Sequence, residues 1–302
     1  MIENVREKIK KLKKQRDAVI LAHNYQSSDV QDIADYLGDS LELSILASKT
    51  DAEVIVFCGV HFMAETASIV CPDKKVLIPE IIAGCPMAKM ITPEKLRELK
   101  EKHPNAVVVG YVNTSAAVKA ETDLCCTSTN AVKVVNSVPK DKEIIFIPDK
   151  HLADYVSRRT KRKLIAWNGF CPTHVKITAE DILNQKKKYP GSVAVIHPEC
   201  TFEAIDVADE VASTSGMIKF AKKTDAKIII VGTETGLIYR LKKENPDKEF
   251  YPANEKAICK NMKLITPEKV LQSLEELKYE VKVPSEIRKK AIVPVEKMLK
   301  IK

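Results

Sequence analysis

No apolar run reaches about 18 residues, the length a membrane-spanning helix needs. The opening segment MIENVREKIKKLKKQR is a charged helical pattern without an apolar signal-peptide core, so a cytoplasmic location is expected. Eight cysteines are present, yet no two stand as CxxC, which argues against a zinc finger or a thioredoxin-like redox pair. Without an export signal, disulfides are not expected either, so any metal site must gather its ligands from distant positions. There is no arginine-rich arm, RNP-type aromatic motif or finger spacing, and nucleic acid is not an expected partner. Low-complexity stretches are missing as well, which excludes a disordered chain.

What remains is a chain of 302 residues, 45% apolar and 30% charged, long enough for two or three compact units. Its 49 basic and 41 acidic residues give a net charge of +8, spread over helix faces and turns such as NQKKKYP. That pattern suits a solvated surface, or one that attracts anions.

Short continuous apolar runs alternate with helical patterns about ten residues long, which predicts α/β architecture with parallel strands covered on both faces. AVILAHNYQ, AVVVGYVNT and SVAVIHPEC read as one strand written three times. His23, Tyr111 and His197 are 88 and then 86 residues apart, and Tyr25, Asn113 and Glu199 repeat those steps. Ser40, Ser128 and Thr214 keep the register, as do Val76, Leu164 and Phe250 in the fourth strand of each repeat. A loop with one cysteine follows each time: Cys85, Cys171 and Cys259, now 86 and 88 apart. Such periodicity predicts three α/β/α units around a pseudo-threefold axis. The expected boundaries are 1–88 with 262–302, 89–174, and 175–261. Residues after Cys259 read as a helix over 266–277, a short strand YEVKVP and a helix over 285–300.

Parallel sheets bind ligands beyond the carboxyl ends of their strands, where all these residues lie. With the three edges facing inward, they share one cleft. Three converging thiols suit a soft-metal site with an open coordination position, such as an iron–sulfur cluster. A zinc site completed by His174, three residues after Cys171, is the alternative, and the residues alone leave both open. Alternation predicts that His23 with Tyr25, and His197 with Glu199, share a side and form acid–base pairs. Ser40, Ser128, Ser213 and Thr214 stand where helices begin, suited to capping or to holding anions. Cys58, Cys125 and Cys126 read as buried strand thiols, Cys71 ends a helix, and Cys200 is placed where it could line the pocket. His61, His103 and His151 read as loop or helix-edge residues.

AHNYQ, DIADYLGDSLEL, GVHFMAET, CPMA, YVNTSA, CTSTNAV, GFCPTH, HPEC, STSGM, GTETGLIYRL and CKNMK, in this order over about residues 18–263, together resemble the quinolinate synthase family. The resemblance implies a [4Fe–4S] enzyme of NAD biosynthesis that condenses iminoaspartate with dihydroxyacetone phosphate to quinolinate, phosphate and water. It implies three cluster ligands, Cys85, Cys171 and Cys259, and substrate contacts from His23, Tyr25, Ser40, Tyr111, Asn113, Ser128, His197, Glu199, Ser213, Thr214 and Thr233. Glu199 with His197, and Tyr25 with His23, are the expected catalytic groups. Ser128, Asn113 and Tyr111 would hold carboxylates, and Ser213, Thr214 and Thr233 phosphate or a second carboxylate. A functional link to an iminoaspartate-producing enzyme follows from the same resemblance. A non-catalytic zinc or small-ligand-binding protein using the same cavity is the reading that competes with it.

Overall fold

A wholly apolar run has no polar face to turn to water, so it pairs in parallel and is covered by helices on both sides. In the computed structural model, which describes residues 2–301, these runs become β1 (Ala18–His23), β2 (Tyr36–Gly38), β3 (Val54–Cys58) and β4 (Lys75–Leu77) in the first repeat. The second contains β5 (Val107–Tyr111), β6 (Leu124–Cys126), β7 (Ile144–Ile147) and β8 (Ile165–Ala166). The third contains β9 (Val193–Ile196), β10 (Glu210–Val211), β11 (Ile228–Gly232) and β12 (Glu249–Pro252). Three parallel four-stranded sheets result, ordered β2-β1-β3-β4, β6-β5-β7-β8 and β10-β9-β11-β12, the same permutation each time. The expected α/β class with three similar units is thus observed. β3 and β7 are buried along their whole length; at about 1.5–3 kcal/mol per buried large aliphatic side chain, such central strands anchor each sheet.

The cysteine loops are as repetitive as the strands. Each cysteine precedes a short 3-10 turn, Met87–Lys89, His174–Lys176 or Met262–Leu264. Seven residues after each cysteine a threonine, Thr92, Thr178 or Thr266, caps the next helix through its side-chain oxygen. The changed spacing of the cysteines comes from the second repeat, where Cys171 stands seven positions after Leu164, while Cys85 and Cys259 stand nine after Val76 and Phe250. The helix after the last cysteine, Pro267–Glu276, packs back on Ile2–Gln15 and β3, so the third repeat leads into the first. The final helix, Ser285–Lys300, lies against His61–Val70, Ala116–Lys119 and β6, spanning the seam between first and second repeats. YEVKVP, expected as a strand, makes one antiparallel bridge, Leu77↔Glu280. β4 is only three residues long, so the sheet edge offers little to pair with. Among the described residues, no helix is long and apolar enough to cross a membrane.

Candidate active site

The ends of β1, β5 and β9 bring His23, Tyr111 and His197 to the rim of one central cavity. The backbone is used alike at two of these ends. His23 Nδ1 accepts from Tyr25 N at 3.2 Å, and His197 Nδ1 accepts from Glu199 N at 3.3 Å. Burial lowers the His23 pKa to about 4 and the His197 pKa to about 3, so both rings are neutral near pH 7. With Nδ1 accepting, the proton of each neutral ring sits on Nε2. The two histidines are therefore donors rather than bases at that atom.

Glu199 is the hub. The Tyr111 hydroxyl donates to its Oε1, and His174 Nδ1 lies 2.7 Å from its Oε2, both side chains being almost fully buried. His174 Nε2 stands 2.9 Å from Thr233 Oγ1 and 3.2 Å from the Tyr25 hydroxyl, while Tyr25 and Thr233 meet at 2.5 Å. His174 also stacks on His197, with centroids 4.5 Å apart. Burial alone would raise the Glu199 carboxyl, but the electrostatic pull and hydrogen bond of His174 outweigh it and hold the group below the usual carboxylate range. Burial, reinforced by Glu199, pushes the phenols of Tyr25 and Tyr111 well above their ordinary value, so both remain protonated donors. The Tyr111 hydroxyl and His174 thus hold one ionised carboxylate at the centre of the site.

Cys85, Cys171 and Cys259, one from each repeat, line the same cavity. Ser40, Asn113, Ser128 and Thr214 join them in its wall. Ser213 and Thr233 lie one layer back. Ser213 caps the helix Thr214–Lys223, and Thr233 supports Tyr25 and His174. Thr129 Oγ1 donates to Asp39 Oδ2 at 2.7 Å and meets Ser213 Oγ at 2.9 Å, joining all three repeats. Asp39, not Ser40, is the cap of the helix Ser40–Lys49, and Asn130, not Ser128, precedes Ala131–Ser137. This leaves the Ser40 and Ser128 hydroxyls to the cavity. Its volume is about 80 Å³, room for a handful of water molecules.

Residues 7–300 match the family model described as Quinolinate synthetase A protein. Proteins named quinolinate synthase from Dehalococcoides mccartyi and Thermodesulfovibrio yellowstonii are each 56% identical to the chain, over 299 and 300 residues, covering 99% of both partners. One from Methanosarcina barkeri is 55% identical over 296 residues, 98% of this chain and 97% of its own. The chain belongs to the quinolinate synthase family.

Within this quinolinate synthase fold the histidine–carboxylate pairing differs from simple strand alternation. β9 stops at Ile196, Pro198 follows, and Cys200 N closes a turn on His197 O at 3.0 Å. Residues 197 and 199 therefore lie in a turn, and Glu199 takes His174 and Tyr111 as partners instead of the His197 ring. His174 is more central than its sequence position suggests. The signal available was that, of the three loop cysteines, Cys171 alone has a histidine three residues on; the matching residues are Ala88 and Met262. Cys200 is fully buried in an apolar cluster and lies outside the cavity wall, its thiol against Gly232 O at 3.7 Å. Cys58, Cys125 and Cys126 are fully buried strand thiols, as expected.

Proposed function

We propose that this chain is a working quinolinate synthase, joining iminoaspartate to dihydroxyacetone phosphate and releasing phosphate and water, in the cytoplasm. The observation that carries this reading is the convergence of one cysteine from each repeat on a cavity that also holds the Glu199–His174–Tyr111 cluster. The proposed unit boundaries remain 1–88 with 262–302, 89–174 and 175–261.

The donor set fits a [4Fe–4S] cluster. Burial pushes the Cys85 thiol up to about 12 and those of Cys171 and Cys259 upward as well. Three such thiols around one cavity favour a cationic, thiolate-loving group that repays their ionisation. A mononuclear zinc site would need its sulfurs about 3.8 Å apart, from a Zn–S length of about 2.3 Å. The group whose donor atoms all lie within 4.8 Å is instead Cys171, His174 and Glu199. A cluster takes each thiolate on a different iron and tolerates the wider spacing. Cys85, Cys171 and Cys259 would hold it; when bound, it supplies a Lewis-acidic iron with an open position toward a departing hydroxyl.

The side chains do the rest. Glu199 takes a proton from the reactant, with Tyr111 and His174 steadying its charge. The Nε2–H groups of His23 and His197 donate to carbonyl or carboxylate oxygens. Asn113 and Ser128 hold carboxylates, and Thr214, with Ser213 and Thr233 behind it, shapes the phosphate side. A link to an iminoaspartate-producing enzyme follows from the substrate. The test is anaerobic purification: a brown protein with about four irons that forms quinolinate is expected. A second reading, zinc held by Cys171, His174 and Glu199 without turnover, rests on their donor atoms lying within 4.8 Å of one another. A colourless protein with one zinc, no iron and no product would establish it instead.

A further inference from the structure

Lys119 is fully buried, one of the largest side chains with no exposure. Buried ammonium groups are rare unless paired, yet among the described residues Lys119 forms no ion pair; its ammonium donates to the carbonyls of Val112, at 2.8 Å, and Thr114. Its remaining side faces the Phe62 ring, 5.3 Å from the centroid. Phe62 belongs to the first repeat and lines the central cavity.

The two carbonyls flank Asn113. The amide of Asn113 lies in the cavity wall, and its Oδ1 is buried without a partner. The Val112 carbonyl also accepts from Thr114 N at 2.7 Å, so the turn is tight and one oxygen takes two donors. The helix Ala116–Lys119 is held at its start by the Ser115 hydroxyl and by Glu65 Oε2 of the first repeat, 3.0 Å from Ala116 N. The lysine therefore reaches back from an anchored helix to the loop that presents Asn113.

We propose that Lys119 is a positioning residue that clamps the 112–114 turn from behind, so that the Asn113 amide meets the reactants, Oδ1 accepting an N–H or O–H and Nδ2 donating to a carboxylate. This rests on the reading of the cavity as a quinolinate-forming site. A neutral side chain of the same length fills the space but cannot bridge two carbonyls.

The experiment is a double-mutant cycle in anaerobically purified, cluster-loaded protein: Lys119→Met, Asn113→Ala and both together. Quinolinate binding is read by calorimetry, with KM and kcat alongside. Loss of a charge-assisted clamp should weaken binding about tenfold, as should Asn113→Ala. Because Lys119 acts through Asn113, the double variant should bind within about twofold of the weaker single one. Iron content should stay at the wild-type level throughout. Multiplication of the two effects to about a hundredfold, or wild-type binding by Lys119→Met, would overturn the role. If Lys119→Met does not fold, Lys119→Gln carries the same cycle, its amide reaching one carbonyl and giving a smaller loss that again vanishes without Asn113. Wild-type protein that binds no quinolinate would overturn the reaction reading and this inference with it; binding with multiplicative effects overturns the Lys119 role alone.

Discussion

The three repeats meet around the central cavity, and a hydrogen-bonded chain of oxygens ties them together. Opening the cleft to take in reactants would break these contacts. Thr129 Oγ1, from the second repeat, bonds the Asp39 carboxylate of the first at 2.7 Å and the Ser213 hydroxyl of the third at 2.9 Å. Thr129→Val keeps the side-chain shape and removes both bonds. A hydrogen bond to a charged partner contributes about 1.5–3 kcal/mol and a neutral one about 1. Thr129 is exposed, so water replaces much of that sum, leaving about 1–2 kcal/mol of preference for closure, or roughly tenfold in the closed-to-open ratio. Reactants bound by the closed form should then show KM values up roughly tenfold, with iron content unchanged. Solution scattering should show a larger radius of gyration in the ligand-free variant, and added quinolinate should restore the wild-type value. Thr129→Ser, which retains the hydroxyl, is the control and should match the wild type. A Thr129→Val protein with wild-type KM and wild-type scattering would refute the idea that this oxygen chain holds the cleft shut.

Glu199→Gln should keep the iron while lowering turnover about 10²–10⁴-fold, because it removes proton transfer without touching a thiolate; unchanged quinolinate formation would contradict the role given to Glu199. Cys126→Ser should leave iron content intact, since that thiol is fully buried in β6, whereas Cys85→Ser should lose most of it; metal analysis of the two variants decides. A Cβ at Gly236 would stand 2.7 Å from Tyr25 O and 2.8 Å from Gln26 O, so Gly236→Ala should drive the third repeat away from the end of β1, lowering the melting temperature and the affinity for quinolinate together. His23 and His197 have pKa values lowered from 6.5 to about 4 and about 3. The unfolded chain therefore binds protons that the folded chain refuses. Their stabilisation is fully present above pH 6.5 and is lost as pH falls toward 4 and then 3. Thermal melts of the wild type should fall over that window, and His23→Asn should flatten the fall; parallel curves for the two proteins would count against it.

Much of the fold was legible because its causes are local. Each strand is a short apolar run, each repeat ends in a loop with one cysteine, and tripling these signals turned weak patterns into a strong one. The same periodicity reveals which positions are equivalent, but not which partners the chain brings them. His23 and His197 occupy matching places and treat the backbone alike, yet the third member, Tyr111, is a phenol that spends its hydroxyl on Glu199. His174 has no counterpart in the other two loops, and its significance arises only when the third repeat presents Glu199 and Thr233 to it. Lys119 was invisible for a related reason: on a four-residue helix it reads as a surface charge, whereas in the fold it is buried between the 112–114 turn and Phe62 of the neighbouring repeat. Repetition built the walls of the cavity, and the residues that break the repetition give it a carboxylate at one side and hydrogen-bond donors at the others. A symmetric site would offer an unsymmetrical reaction three equal choices; the Glu199–His174 pair, present once, makes this cavity unsymmetrical.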